Sequence, residues 1–176
     1  MIKYISALLL SLGIFQSSPA QRIPLTQEMV KSWIENRVKA HDLQMEFKAN
    51  EDKYDEVIKS YFTARNEMLN SNGWESDEFD ATGEWIYGVL GSIESQKELD
   101  DEKAMQKEQF AEFDALEHLS DEQKEQMRTA LLESTVQRQD YIDVFKEDWP
   151  AVEPYLKALN ELDDYIGGSR SAPPAL

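Results

Sequence analysis

Residues 120–145 read SDEQKEQMRTALLESTVQRQDYIDVF. The opening Ser120-Asp121-Glu122-Gln123 has the form of a capping box, in which serine and glutamine side chains each bond the other's backbone N–H. Met127, Leu131, Val136 and Phe145 follow, with Tyr141 and Ile142 near the end. The stretch lacks the apolar/polar alternation of a strand, so it predicts a helix starting at Ser120. The same reading extends to the rest of the chain, where no segment alternates for long enough to suggest a sheet.

Working outward, four more helical segments are predicted. The first starts after Thr26, whose oxygen can accept a free N–H of the opening turn. Met29, Val30, Trp33, Ile34 and Val38 form its stripe, and it runs to about Phe47. The second is predicted to be capped by Asn50, with Glu51 and Asp52 in its first turn. Tyr54, Val57, Ile58, Tyr61, Phe62, Met68 and Leu69 make its stripe, and Ser71-Asn72-Gly73 ends it. The third opens at Ser76 and carries Phe79, Thr82, Ile86, Val89, Leu90 and Ile93 on one face, with Trp85 beside them. Glu94 to Lys103 is then highly polar and fits either a solvated helix extension or a linker, before Phe110, Phe113 and Leu116 restart a weak stripe. The fifth is predicted to be capped by Asp148 or Trp149, with Pro150 and Pro154 in its first turn or so. Val152, Tyr155, Leu156, Leu159, Leu162 and Ile166 supply its stripe, and Gly167-Gly168 stops it. Short connections between such helices favour antiparallel neighbours. The expectation is an all-α antiparallel bundle of four to five helices over residues 21–168, followed by a disordered tail at 169–176.

Residues 1–20 read as a secretory signal. Lys3 supplies the positive charge, Ile5 to Phe15 the apolar core, and Ser18 and Ala20 the small residues at −3 and −1. Cleavage after Ala20 is expected, with export to the periplasm. No later stretch is long and apolar enough for a membrane helix.

The 176 residues carry 35 acidic and 18 basic side chains, a formal net charge of −17, and no cysteine. Such a charge repels phosphate and argues against nucleic acid as a partner. Without cysteine there is no disulfide framework, thiolate metal site or cysteine nucleophile.

The remaining chemistry is sparse. The two histidines are His41 and His118. Asp114 and His118 stand four apart, a spacing at which a carboxylate and an imidazole on one helix face can contribute to a metal site, or simply pair at the surface. They are the weak metal candidates. No Glu-x-x-His pair, nucleophile elbow or phosphate-binding glycine loop occurs. The protein is therefore expected to be non-catalytic, with no cofactor. Three acidic clusters, Asp77/Glu78/Asp80/Glu84, Glu98/Asp100/Asp101/Glu102 and Asp140/Asp143/Glu147/Asp148, offer oxygen ligands for calcium but none has EF-hand spacing. Gly83, Gly88, Gly91 and Ser92 thin out the third helix, which suits either a close internal crossing or a partner face. The four tryptophans are expected in the core with their polar edges satisfied.

Leu119-Ser120-Asp121-Glu122-Gln123-Lys124 resembles the Leu-Thr-x-x-Gln motif of the Spy/CpxP periplasmic helical proteins, with serine for threonine. Leu25-Thr26-Gln27-Glu28-Met29 resembles a degraded second copy. The resemblance implies a helical, ATP-independent chaperone or stress-related protein. The helix pair, Asn72-Gly73-Trp74, Ser76 to Trp85, the Leu119–Lys124 segment and Val152-Glu153-Pro154-Tyr155-Leu156 together are similar to uncharacterised exported helical proteins of proteobacteria. That likeness implies fold and cell address and no site residues. The function expected is binding of envelope or periplasmic proteins, with a divalent-cation or small-ligand binder as the alternative.

Overall fold

The computed structural model describes residues 24–176, so the signal segment and its cleavage after Ala20 lie outside the described residues. Among the described residues there are six α-helices, with a 3-10 turn in three of the five connections, and no strand. Helix α1 spans Gln27–Ala49, α2 Val57–Ser71, α3 Ser76–Ala115, α4 Asp121–Phe145, α5 Trp149–Val152 and α6 Leu156–Ile166. The all-α expectation holds. None of these helices is long and apolar enough to cross a membrane.

Local signals set most of the ends. Thr26 caps α1 by accepting from the Met29 N–H at 3.1 Å. The box at Ser120 is formed on both sides: Ser120 Oγ accepts from Gln123 N at 3.2 Å, and Gln123 Oε1 accepts from Ser120 N at 2.9 Å. Gly73 closes α2 at φ 83°. The Gly73 N–H donates to Asn70 O and the Trp74 N–H to Leu69 O, the paired bonds of a Schellman motif.

Two predicted caps are corrected. Asn50 does not open α2. Its amide donates back to Glu46 O at 2.8 Å, closing α1, and a 3-10 turn at Glu51–Lys53 and an extended Tyr54 intervene before Val57. Asp148 does stand at the N-cap position of α5, but its side chain makes no capping bond there, and it is this bond that is corrected. It lies in a 3-10 turn at Lys146–Asp148, and its carboxylate reaches across the fold instead. The predicted fifth helix is divided: α5 is one turn, a 3-10 turn at Glu153–Tyr155 contains Pro154, and only then does α6 begin. Proline lacks the N–H that a continuous helix would need there.

One core joins α1, α2, α5, α6 and only the first part of α3. Val30, Trp33, Ile34, Leu69, Phe79, Ile86, Val89, Val152, Leu159 and Leu162 are at its centre. Each indole finds an acceptor. Trp33 donates to Phe79 O, Trp74 to Ser32 Oγ, Trp85 to Asp148 Oδ2 and Trp149 to Ser92 Oγ, at 2.7–3.0 Å. The glycines of α3 serve close internal crossing. A Cβ on Gly83 would lie 2.6 Å from Trp33, and one on Gly88 2.5 Å from Phe145.

Beyond Ile93, α3 continues without a break through Glu94–Lys103 to Ala115 and pairs with α4 in an antiparallel hairpin. At 40 residues α3 is ~60 Å long, so the hairpin forms an arm on the helical head. Its seam follows a heptad. Ser92, Ser95, Leu99, Glu102, Gln106, Gln109 and Phe113 of α3 are buried or half-buried, as are Lys124, Arg128, Leu131, Thr135, Arg138, Ile142 and Phe145 of α4. Most of these positions are polar. Arg138 spans Glu102 at 3.1 Å and Glu98 at 3.7 Å, and Lys103 donates to Gln139 at 3.1 Å. Residues 169–176, expected as a disordered tail, form no regular element. Arg170 lies 3.0 Å from Glu161 of α6.

Candidate functional site

The second helix carries more apolar surface than one neighbour can cover. Val57, Ile58, Tyr61 and Phe62 fill about half its circumference, whereas a helix packed on one side buries a stripe. Leu69 is fully buried, but Ile58 is 71% and Phe62 52% exposed. Both were expected in the core stripe, and the structure leaves them in solvent.

Two depressions meet along this face. The first, about 310 Å³, lies at the α1–α2 elbow against Phe47, Val57, Ile58, Tyr61 and Phe62. Phe47 stacks on Tyr54 at 4.5 Å, which holds the elbow closed beneath it. The second, about 760 Å³, runs between α1, α2 and α3 over Trp33, Phe79 and Tyr87. Gln44, Tyr61 and Phe62 line both, so the two form one groove. Such volumes suit a ligand or an inserted side chain.

The second depression is also polar. Arg65 is buried against Phe79, with its guanidinium 5.6 Å from the ring centre. It donates to Ser76 Oγ at 2.9 Å and is paired with Asp80. Arg37 and Glu84 line the opposite wall. The Tyr87 hydroxyl donates to Asp163 of α6 at 2.5 Å. Burial, then that hydrogen bond and the charge of Asp163, push the phenol well above its usual range, while Arg37 pulls it down. The lining holds no histidine, serine or threonine, and its hydroxyls are those of Tyr61 and Tyr87. It offers aromatic faces, two guanidiniums and two carboxylates.

The metal candidates do not come together on a helix. Helix α3 stops at Ala115, so His118 lies in the turn beyond it while Asp114 remains in the last helical turn. The Asp114 carboxylate is taken by Arg128, and Lys124 Nζ donates to its carbonyl at 2.8 Å. His41 meets Tyr165 edge-on at 5.1 Å. The acidic clusters are dispersed among different partners: Asp80 pairs with Arg65, Glu98 and Glu102 with Arg138, and Asp148 is buried at Trp85 and the Leu25 N–H. Among the described residues no group of three or more His, Asp or Glu side chains is placed to hold a metal ion. No protein-family model, curated protein or solved structure matches the chain.

Proposed function

We propose that the protein is an exported, non-catalytic binding module for other envelope proteins, acting as a holdase of the Spy/CpxP kind. The observation that carries this reading is the groove beside α2. Ile58 and Phe62 stay 71% and 52% exposed although the head already has a complete core. Exposed apolar side chains grouped around a depression mark an interaction surface on a folded protein. The strong negative charge keeps such a protein soluble while that surface is open.

The test is aggregation suppression. Residues 21–176 are mixed with a thermally unfolding client and light scattering is followed. Suppression near equimolar ratio, lost in Ile58→Ser/Phe62→Ser, is the expected result. Equal scattering with and without the protein rejects the holdase.

The polar half of the groove favours a second reading, a small-ligand binder held by Arg37, Arg65 and the ring of Phe79. A client-independent rise in melting temperature with a small-molecule panel, absent in Arg65→Ala, would select it over the first. The cation version predicts a higher melting temperature in millimolar calcium, and an unchanged melt rejects it.

A further inference from the structure

The hairpin arm buries polar side chains beside Leu99, Leu131 and Ile142 and exposes apolar ones. Its seam holds Glu102, Gln106, Gln109, Lys124, Arg128 and Arg138, and Gln109 Oε1 is buried there without a hydrogen bond. Apolar side chains point outward instead: Leu132 is 46%, Val136 58% and Val144 53% exposed. Two helices packed alone would gain by the opposite arrangement.

The seam also sorts charge. Lys124, Arg128 and Arg138 are the cations of α4, and all three turn toward α3, onto Asp114, Glu98 and Glu102. The exposed charges left on α4 are Asp121, Glu122, Glu125, Glu133, Asp140 and Asp143. The outer face of this helix therefore displays anions and apolar side chains, with no cation among them.

Leu132 and Val136 share one flank, whereas Val144 precedes the seam residue Phe145 and stands on the other. Leu132 and Val136 are four apart, with Thr129 one turn before Leu132 and Glu133 beside a shallow depression between them. Lys103 and Gln139 each follow a seam residue and are hydrogen-bonded, so following positions share a side of the hairpin. By the same register, seven residues along, Phe110 stands opposite Leu132. On this flank of α3 the nearby cations are Lys103, held by Gln139, and Lys107, followed by Glu108.

We propose that this flank of α4 docks a basic amphipathic helix of a partner protein, lying along the arm as a third strand of the coiled coil. Its apolar face would cover Phe110, Leu132 and Val136, and its lysines or arginines would meet Glu133, Asp140 and Asp143. Charge selects this occupant over a second copy, whose arm would bring the same anions against these. The surface is separate from the groove beside α2, so the two proposals fail independently.

The probe is a fluorescein-labelled leucine–lysine peptide patterned as an amphipathic helix, with a scrambled peptide of equal composition as control. Anisotropy is read on residues 21–176 at moderate and high salt. The amphipathic peptide is expected to bind more tightly than the scrambled one. Leu132→Ser/Val136→Ser should weaken it about tenfold or more. Neutralising Glu133, Asp140 and Asp143 to amides should reduce both the affinity and its salt dependence. Met105→Ser should retain full affinity, because Met105 precedes a seam residue and so stands on the other side of the hairpin. All these positions are exposed, and circular dichroism confirms that each variant stays helical. Equal binding of the two peptides, or no loss in Leu132→Ser/Val136→Ser, overturns the proposal. So does a monomer–dimer equilibrium abolished by that variant, which would make the occupant a second copy.

Discussion

Asp148 shows how far a single side chain can act from its place in the chain. Read in sequence, it sits before Trp149-Pro150 and looks like a cap. In the fold it is 2% exposed, accepting from the Leu25 N–H at 3.1 Å and from the Trp85 indole at 2.7 Å. It thereby ties the chain leading into α1, the first part of α3 and the α4–α5 connection to one point. Asp148→Ala leaves both donors without this acceptor and should cost about 2–4 kcal/mol in urea denaturation. Asp148→Asn keeps one acceptor oxygen and should lose less. Tyr87 supplies a pH signature. Its phenol is raised by burial and by Asp163, so above the ordinary tyrosine value of about 10 an unfolded chain loses that proton first. Stability contributed by Tyr87 is therefore full below pH ~10 and declines as the medium becomes more alkaline. Denaturation at rising alkaline pH should show a shallower decline for Tyr87→Phe. Neither role was legible in the sequence, because each depends on a partner 63 or more positions away. The caps at Thr26 and Ser120 were legible because their partners lie three residues off.

Among the elements, the arm marks where periodicity ceased to inform. Glu94–Lys103 fitted helix or linker equally, since Leu99 is its one aliphatic side chain. The helix persists because a seam of Ser95, Leu99, Glu102, Gln106 and Gln109 faces α4, with Glu102 meeting Arg138 and Thr135, and hydropathy does not register such a stripe. For the same reason Val136 was assigned to the packed face of α4, whereas the true seam passes through Leu131, Thr135 and Arg138 and leaves Val136 outside. Asp114 and His118 failed as a helical pair because Leu116, at ψ 89°, has already left the helix. Ser120→Ala removes one half of the capping box and should weaken the start of α4 by ~1 kcal/mol. Hydrogen exchange at the first amides of α4 would show it as faster exchange, with the head unaffected.

For the whole molecule, the fold class followed from the absence of alternation and the presence of five apolar stripes. The division into a packed head and a projecting arm did not follow. It depends on which stripes meet, and only the early part of α3 meets α1 and α2. The exposed apolar faces were concealed for a related reason. An apolar residue on a helical stripe reads as core whether or not a neighbour arrives to cover it, as with Ile58, Phe62 and Val136. Trp33, Trp74, Trp85 and Trp149 were expected in the core and are buried or half-buried there, each with its acceptor. All four belong to the head, and none lies between residues 94 and 145. Tryptophan emission therefore reports the head and the base of the arm, where Trp85 meets Phe145 and Trp149 bonds Ser92, and is blind to the outer arm. Heating should give two apparent transitions: an early loss of ellipticity as α3 and α4 separate, with the emission maximum unmoved, and a later red shift as the head opens. A single coincident transition in both signals would mean that arm and head melt as one. A chain that looked fully folded by its tryptophan spectrum alone could already have lost the outer half of its longest helix.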